Sequence, residues 1–368
     1  NQPITKADRA IFWARWKKKP FATVLLDFMK AFPSVLLLSM WAVLEAQGWH
    51  PHYIRALIAL HQDMRQTTKI GGKSYPGPPK KSGLWTGSGA STILLLCLLD
   101  VLLRQVYRSA CFDWEHEDYG KVDGFADDLT AFCHTPHHLY TFRSIVSTFG
   151  EWSGVCPSLS KTVLILPDWE QHRKAEWKRA CWPEVDIVLF GETLGIQVGA
   201  ALTIEQVFKK PLARFESALD FWLSQPTAKS EVAWIWNFFL LPRICYVAQF
   251  FAPTKKMISH LNNSLKRLAH VNNTFPLNLL TFSDWLLREP LAPYDPRIWL
   301  TTVMTRAAEQ FPPDQELGSL VNSCSYAKGS IDWQHSQLHN TWNEAGISYH
   351  SVRKRISAIT YGLGRNLS

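Results

Sequence analysis

Ala22-Thr23-Val24-Leu25-Leu26-Asp27-Phe28 is an apolar, partly β-branched run with a carboxylate at its end. Such a run reads as a buried strand. A carboxylate closing a buried strand is costly unless it is paired or holds a cation. A hundred positions later, residues 121–125 and 129–133 read as two short strands around Ala126-Asp127-Asp128, a β-hairpin with acids at its tip. An isolated Asp-Asp pair is usually only a polar turn. Asp27 at the end of an apolar strand shifts that balance. Adjacent acids repel unless solvated or bridged by a cation. Phosphoryl-transfer enzymes use such carboxylates to hold two divalent ions, and oxygen ligands of this kind suit Mg²⁺.

Outward from these acids the pattern alternates between helix and strand. Residues 8–19 read as a short basic helix ended by Pro20, and residues 34–47 as an apolar helix with Gly48 as C-cap. Residues 51–64 form another helix. Gly71-Gly72 and Pro76-Gly77-Pro78-Pro79 are turn signals around a hairpin. Gly83, Gly87 and Gly89 make a flexible loop before an apolar helix over 90–106, and residues 137–153 are helical. Residues 186–198 read as two strands joined near Gly191. Helices follow at about 204–225, 229–251 and 254–271. A Pro-rich stretch at 276–296 marks a boundary, and the last seventy or so residues are weakly patterned.

The 368 residues are 46% hydrophobic and 19% charged, which excludes a disordered tail or a fibre. Length suggests two or three domains. Lys plus Arg is 39 against 31 acids, a net of +8 that favours a polyanionic partner such as nucleic acid. The excess is uneven: residues 1–81 and 203–274 are basic, whereas residues 82–202 are acidic. An acidic middle between basic flanks suits a carboxylate–metal centre with phosphate-binding walls. Seventeen Trp are an unusual load, and each can bury a large area or serve as a stacking platform. The seven scattered cysteines form no CxxC pair, so neither a zinc knuckle nor a disulfide framework is indicated, and an intracellular reducing compartment, including an organelle, is expected. No run of about 18 uncharged apolar residues exists, so no membrane span is expected; residues 232–253 come nearest and are broken by Asn237, Pro242, Arg243 and Gln249. The first 20 residues lack the apolar core of a secretory signal, and the chain starts at Asn1 rather than Met.

Several of these segments resemble one family. Leu26-Asp27-Phe28-Met29-Lys30-Ala31-Phe32 resembles the LDFxKAFD box of non-LTR (LINE-type) reverse transcriptases. The stretch Gly83-Leu84-Trp85-Thr86-Gly87-Ser88-Gly89-Ala90-Ser91-Thr92 resembles their GxxQGxPxSP loop, Phe125-Ala126-Asp127-Asp128 their [YF]ADD box, and Leu159-Ser160-Lys161-Thr162 their LNxxKT region. Thr193-Leu194-Gly195 sits where the family has YLG near the primer grip. Tyr246-Val247-Ala248-Gln249 and Lys255-Lys256 look like the helical region beyond it. The order is the family's order, over roughly residues 1–275.

The resemblance implies an α/β (α+β) fold: a reverse-transcriptase-like palm of antiparallel strands backed by helices, a helical thumb, and a mostly helical C-terminal extension. The divisions are 1–20 for a remnant of the fingers, 21–202 for the palm, 203–274 for the thumb and 275–368 for the extension. It implies that Asp27 and Asp127 ligate Mg²⁺ with Asp128 in support. Lys161 would sit near the triphosphate as a charge stabiliser or acid. Phe32 would act as the steric gate against a ribose 2′-OH, unless it is a core aromatic. Gly87 would let backbone approach the template–primer closely. Lys209, Lys210, Lys255, Lys256, Lys266 and Arg267 would contact nucleic-acid phosphates, with RNA or an RNA–DNA hybrid as partner.

Departures bear on activity. The family's Gln is Thr86, its Pro is Thr92, and its Asp after Ala-Phe is Pro33, which fixes φ and removes a donor. Only 26 residues precede Asp27, where the family carries its fingers. In-line transfer is sensitive to placement errors of about 1 Å. Three readings follow. The intact acids fit a working RNA-directed DNA polymerase. The departures and basic flanks fit, better, a repurposed structural or RNA-binding subunit of a ribonucleoprotein, such as an organellar ribosome, with other protein subunits around it. A Trp-rich subunit of a non-RNA complex is the third. The basic cluster Arg353-Lys354-Arg355 reads as a solvated helix face more than a phosphate contact.

Overall fold

The computed structural model describes residues 2–62, 65–79, 82–109, 121–199, 202–228, 231–281 and 293–310, with Ile331 and His335. The chain divides into two compact units, Pro3–Ala201 and Leu202–Ser368.

The first unit is a sheet backed by helices. Its strands are β1 (Ala22–Leu26), the hairpin β2 (Arg65–Ile70) and β3 (Lys73–Pro79), then β4 (Val122–Phe125), β5 (Asp128–Cys133), β6 (Val163–Ile165), β7 (Asp186–Val188), β8 (Phe190–Thr193) and β9 (Ile196–Gly199). Its helices are α1 (Gln2–Trp16), α2 (Ala31–Ser34), α3 (Leu37–Ala46), α4 (Pro51–His61), α5 (Gly89–Arg108), α6 (Pro136–Ser153) and α7 (Lys174–Ala180). Five strands form one sheet in the order β4-β5-β1-β6-β7. β1 is central and antiparallel to both neighbours, and all five of its residues are buried. That is why its sequence is apolar on both faces rather than alternating. β7 runs parallel to β6, and α7 lies in the crossover between them. The α/β architecture with an antiparallel sheet backed by helices is thus present.

Several elements differ in detail from their sequence patterns. The apolar helix expected over 34–47 is two pieces, α2 and α3, joined at Val35-Leu36. Pro33 lies within the first turn of α2, where a missing N–H forfeits no helical bond. Gly71-Gly72 is the turn of the β2–β3 hairpin, both residues having positive φ, but the Pro76–Pro79 stretch is strand, not turn. A two-stranded ribbon has two free edges, so prolines there lose no ladder partner. The turn between β8 and β9 is Leu194-Gly195, with φ 49° and 78°, rather than Gly191. A Cβ at Gly191 would stand 2.8 Å from Leu25 Cδ1 and 3.1 Å from Val163 Cγ2, so that glycine serves close packing. Three-residue β6 had no legible pattern. The N-terminal helix α1 is longer than expected and buries Ile4, Ala7, Ala10, Ile11 and Ala14 in this unit.

Among the described residues α5 is long and apolar enough to cross a membrane, by length and composition only. It packs as a core helix, with Leu94, Leu98, Leu99, Leu102 and Val106 buried and an Arg104–Asp100 pair at 2.6 Å on its exposed side. Residues 232–253 are shorter helical pieces instead.

The second unit contains α8 (Ile204–Leu223), α9 (Val232–Ile235), a π-helical turn (Trp236–Leu240), α10 (Pro242–Ala248), α11 (Lys255–Leu268), α12 (Leu277–Thr281) and α13 (Pro296–Gln310). α8 starts with a capping box between Thr203 and Gln206. Phe208, Phe215, Leu219, Trp236, Leu261 and Leu265 form its interior. At the end of the Pro-rich stretch, Tyr294 O accepts from the Trp236 indole at 3.0 Å and Asp295 caps α13. Arg353-Lys354-Arg355 lies outside the described residues. Cys97, Cys133, Cys156, Cys181 and Cys245 are free thiols. Burial pushes Cys181 up to about 11 and Cys245 up to about 12, so both stay protonated and pack as small apolar groups.

Candidate carboxylate site

The site is built where β1 leaves the sheet. β1 pairs β5 with Leu26 opposite Leu129, so the next opposing positions are Asp27 and Asp128. The β4–β5 hairpin closes with Phe125 opposite Asp128 and turns through Ala126-Asp127. Ala126 takes a left-handed φ of 54°. A non-glycine residue in that region stores about 1–2 kcal/mol of strain, a device common at functional sites. Short-range turn chemistry and strand register thus bring together acids a hundred positions apart.

Lys161 arrives by a different route. Residues 156–162 run along the exit of β1. Met29 N donates to Cys156 O at 2.9 Å, Phe28 bridges Pro157, and Ser158 N donates to Asp27 O at 2.7 Å. A tight turn, with Lys161 N and Thr162 N both donating to Ser158 O, swings the lysine back over the strand exit. Its Nζ stands 3.0 Å from Asp27 Oδ2. That oxygen is closed to solvent, and the Lys161 ammonium is its ion-pair partner. The Asp27 side chain is 24% exposed and that of Lys161 71%.

Electrostatics follow this placement. The side-chain contact with Asp27, then its charge, raises the Lys161 ammonium above its ordinary value, helped by Asp127 and Asp128. Partial burial, then the charges of Asp127 and Asp27, raises the Asp128 carboxyl, while Lys161 opposes the rise. Asp128 therefore senses both other acids. Their donor set is all carboxylate oxygen, the set that suits Mg²⁺. As the side chains stand, no group of three or more His, Cys, Asp or Glu among the described residues is gathered closely enough to hold a metal. Carboxylates of this site would have to draw together around an ion, with Lys161 yielding its place on Asp27.

A raised carboxyl has a defined consequence for stability. The folded state binds the Asp128 proton more tightly than the unfolded state, so Asp128 contributes stability at low pH. That contribution is lost as pH rises through the raised folded value. Asp128→Asn is expected to stabilise the metal-free protein at neutral pH by a few tenths to about 1 kcal/mol, the small size reflecting solvent screening. Thermal melts of both proteins in chelator should diverge as pH rises from the carboxylate range toward neutrality. Parallel curves would show that the acids do not repel.

The other candidate residues are placed as follows. Phe32 is half-buried against the core, its carbonyl accepting from Leu84 N at 2.7 Å. Gly87 has φ 92°, and a Cβ there would meet nothing within 4 Å. Lys209 and Lys210 are exposed on α8, and Lys255 and Lys256 on the first turn of α11. Lys266 donates to Asn273 O at 2.6 Å, and Arg267 is exposed beside it. An apolar cleft of about 1310 Å³ lies between α3, α5 and the hairpin, lined by Gly124, Ala126 and Leu129 but by none of the three acids. Sequence reading missed the aromatic–basic cleft on α8 described below, whose outward-facing aromatic doublets Phe221-Trp222 and Phe238-Phe239 were its signal.

No protein-family model matches the chain, and no curated protein matches it. Among solved structures it is similar to telomerase from Candida tropicalis in complex with a fragment of telomeric RNA, at 11% identity and a TM-score of 0.44, covering 90% of this chain and 52% of that one. For telomerase from Candida albicans the values are 10%, 0.37, 89% and 53%. For apo telomerase from Candida tropicalis they are 10%, 0.41, 90% and 56%. The chain thus spans about half the length of these structures.

Proposed function

We propose that this chain is a nucleic-acid-binding protein derived from a LINE-type reverse transcriptase, with RNA or an RNA–DNA hybrid as its ligand. One observation carries the reading: Asp27 and Asp127-Asp128 converge at one end of the sheet, with Lys161 folded over Asp27. Asp27, Asp127, Asp128 and Lys161, scattered through the sequence, come within electrostatic reach of one another. Lys209, Lys210, Lys255, Lys256, Lys266 and Arg267 supply the phosphate contacts.

Two states of the carboxylate site are open to such a protein. In a working RNA-directed DNA polymerase, Asp27, Asp127 and Asp128 would hold Mg²⁺, and the chemistry it would supply there is activation of a hydroxyl nucleophile and stabilisation of the leaving group. Lys161 then releases Asp27 to stabilise charge on the departing pyrophosphate, and Phe32 excludes a 2′-OH. In a repurposed subunit of a ribonucleoprotein, for instance an organellar ribosome, the Lys161–Asp27 pair neutralises the site without metal. The Lys161–Asp27 ion pair favours the second state.

Affinity for RNA is expected to fall about 10³-fold between 50 and 200 mM salt if the six cations each neutralise one phosphate. Absence of RNA binding at low salt would overturn the nucleic-acid reading and leave a subunit of a protein complex. Primer extension on an RNA template with Mg²⁺ separates the two states. No product is expected from the repurposed subunit. A templated product that Asp127→Ala abolishes would overturn that state and establish the polymerase.

A further inference from the structure

The second unit carries a feature that its packing does not use. α8 has two faces. Phe208, Phe215 and Leu219 point into the interior, as an amphipathic helix requires. Lys210, Arg214, Ser217 and Phe221, spaced by three or four residues, lie on another face and line a cleft of about 610 Å³. Its opposite wall is Phe239 and Arg243. Among the described residues the lining holds three cations and no acid.

Aromatic rings run on from the cleft in a continuous series. Phe221 meets Trp222 at 5.4 Å between centroids, Trp222 meets Phe239 at 5.5 Å, and Phe239 meets Trp234 at 4.6 Å. Trp234 meets Phe238 at 6.5 Å. Phe221 is 57% exposed and Phe238 58%, with Trp234 and Phe239 also exposed. Core aromatics bury such rings; here the local backbone holds them outward. Pro242 has no N–H for the carbonyl four residues back, and Leu241 N reaches Trp236 O at 2.9 Å in a wide turn. Insertions of this kind recur at functional sites. The Arg243 Nε–H, donating to Phe239 O at 2.9 Å, fixes the guanidinium beside the ring series.

We propose that this cleft and its aromatic series form a binding platform for single-stranded nucleic acid, bases stacking on the rings and phosphates meeting Lys210, Arg214 and Arg243. Rings accept any base by its π-face, and cations follow the backbone, the combination that single-strand binders use. The lining cations Lys210, Arg214 and Arg243 fit a polyanion. The ligand class rests on the nucleic-acid reading above, but the location is independent of the carboxylates and of Lys255 and Lys256.

The test uses the full chain, with fluorescent oligouridylate and a duplex RNA as probes at low salt. Phe221→Ala and Arg214→Gln change exposed side chains, so folding is preserved. Each is expected to weaken oligouridylate binding, Phe221→Ala by about tenfold or more. Arg214→Gln should also lower the salt slope by about one. Duplex binding should be unchanged, and oligouridylate should quench tryptophan emission in the parent protein. Oligouridylate binding that both variants leave intact, but that Lys255→Gln with Lys256→Gln weakens, overturns the platform and keeps the nucleic-acid reading. Loss of all RNA binding in the parent protein overturns both. Capture of an acidic tyrosine-rich polypeptide instead of oligouridylate, sensitive to Phe221→Ala, overturns the platform in favour of a protein-docking site.

Discussion

Gly83→Ala is expected to destabilise the first unit by about 3–5 kcal/mol. Gly83 has φ 84°, and a Cβ built on it would stand 2.4 Å from Pro33 O and 2.6 Å from Pro33 C and Cα. Those neighbours are backbone and cannot rotate away. The substitution therefore adds the strain of a left-handed alanine, about 1–3 kcal/mol. It also breaks the docking of the loop, where Gly83 N donates to Val35 O at 2.9 Å and Leu84 N to Phe32 O at 2.7 Å. Each such bond is worth about 1 kcal/mol. Gly87→Ala is the control: its φ of 92° is as strained, yet the new methyl meets open space, so about 1–2 kcal/mol is expected. Urea unfolding at constant slope compares the two. Equal midpoints would mean the approach to Pro33 contributes nothing. The effect should reach the site, because Ser34 Oγ donates to Met29 O at 2.9 Å and Met29 follows Asp27 by two residues. Faster hydrogen exchange at the Met29 and Leu84 amides is the expected signature.

Gly83 also shows what the sequence could and could not convey. Its glycine was visible as a loop signal, and so was the strand that ends at Asp27. The hairpin with Asp127 and Asp128 was legible because alternation, turn length and acid placement are local properties. Packing of Gly83 on Pro33 was not, because it joins residues fifty positions apart through a contact that leaves no periodicity. The family resemblance set Lys161 near the triphosphate, but its pairing with Asp27 was not legible, since the docking of residues 156–162 on the strand exit is tertiary. Gly191 was misread as a turn because glycines chosen for space and glycines chosen for φ look alike in one sequence. The aromatic series on α8 and the wide turn was hidden for a similar reason. Composition announced many Trp and Phe, but only the structure separates those that fill the interior, such as Trp177 and Trp236, from those held outward.

Trp177→Ala is expected to cost at least about 4 kcal/mol. The ring is fully buried, and removing it leaves a cavity of the size that costs about 3–5 kcal/mol. Its Nε1 also donates to Glu170 Oε2 at 3.0 Å, and Glu170 is itself only 4% exposed. The nearest cation, Arg173 Nη1 at 3.7 Å, is shared with Glu176, to which the same guanidinium donates at 2.9 and 3.0 Å. Loss of the indole thus strips a buried carboxylate of its best donor, a further penalty of about 1–3 kcal/mol. Trp177→Phe separates the contributions, since it keeps most of the volume and removes the donor. An intermediate loss, about 1.5–3 kcal/mol, is expected for it. If Trp177→Phe matched the parent protein in urea, the hydrogen bond would carry no weight and only volume would matter. The position of α7 gives the loss a functional reading. It lies in the crossover that follows β6, and β6 begins two residues after Lys161. Loosening that crossover frees β6 from β7 and, with it, the turn that holds the lysine on Asp27. Trp177→Ala should therefore raise exchange across residues 163–188 at denaturant concentrations where β1 and β5 remain protected.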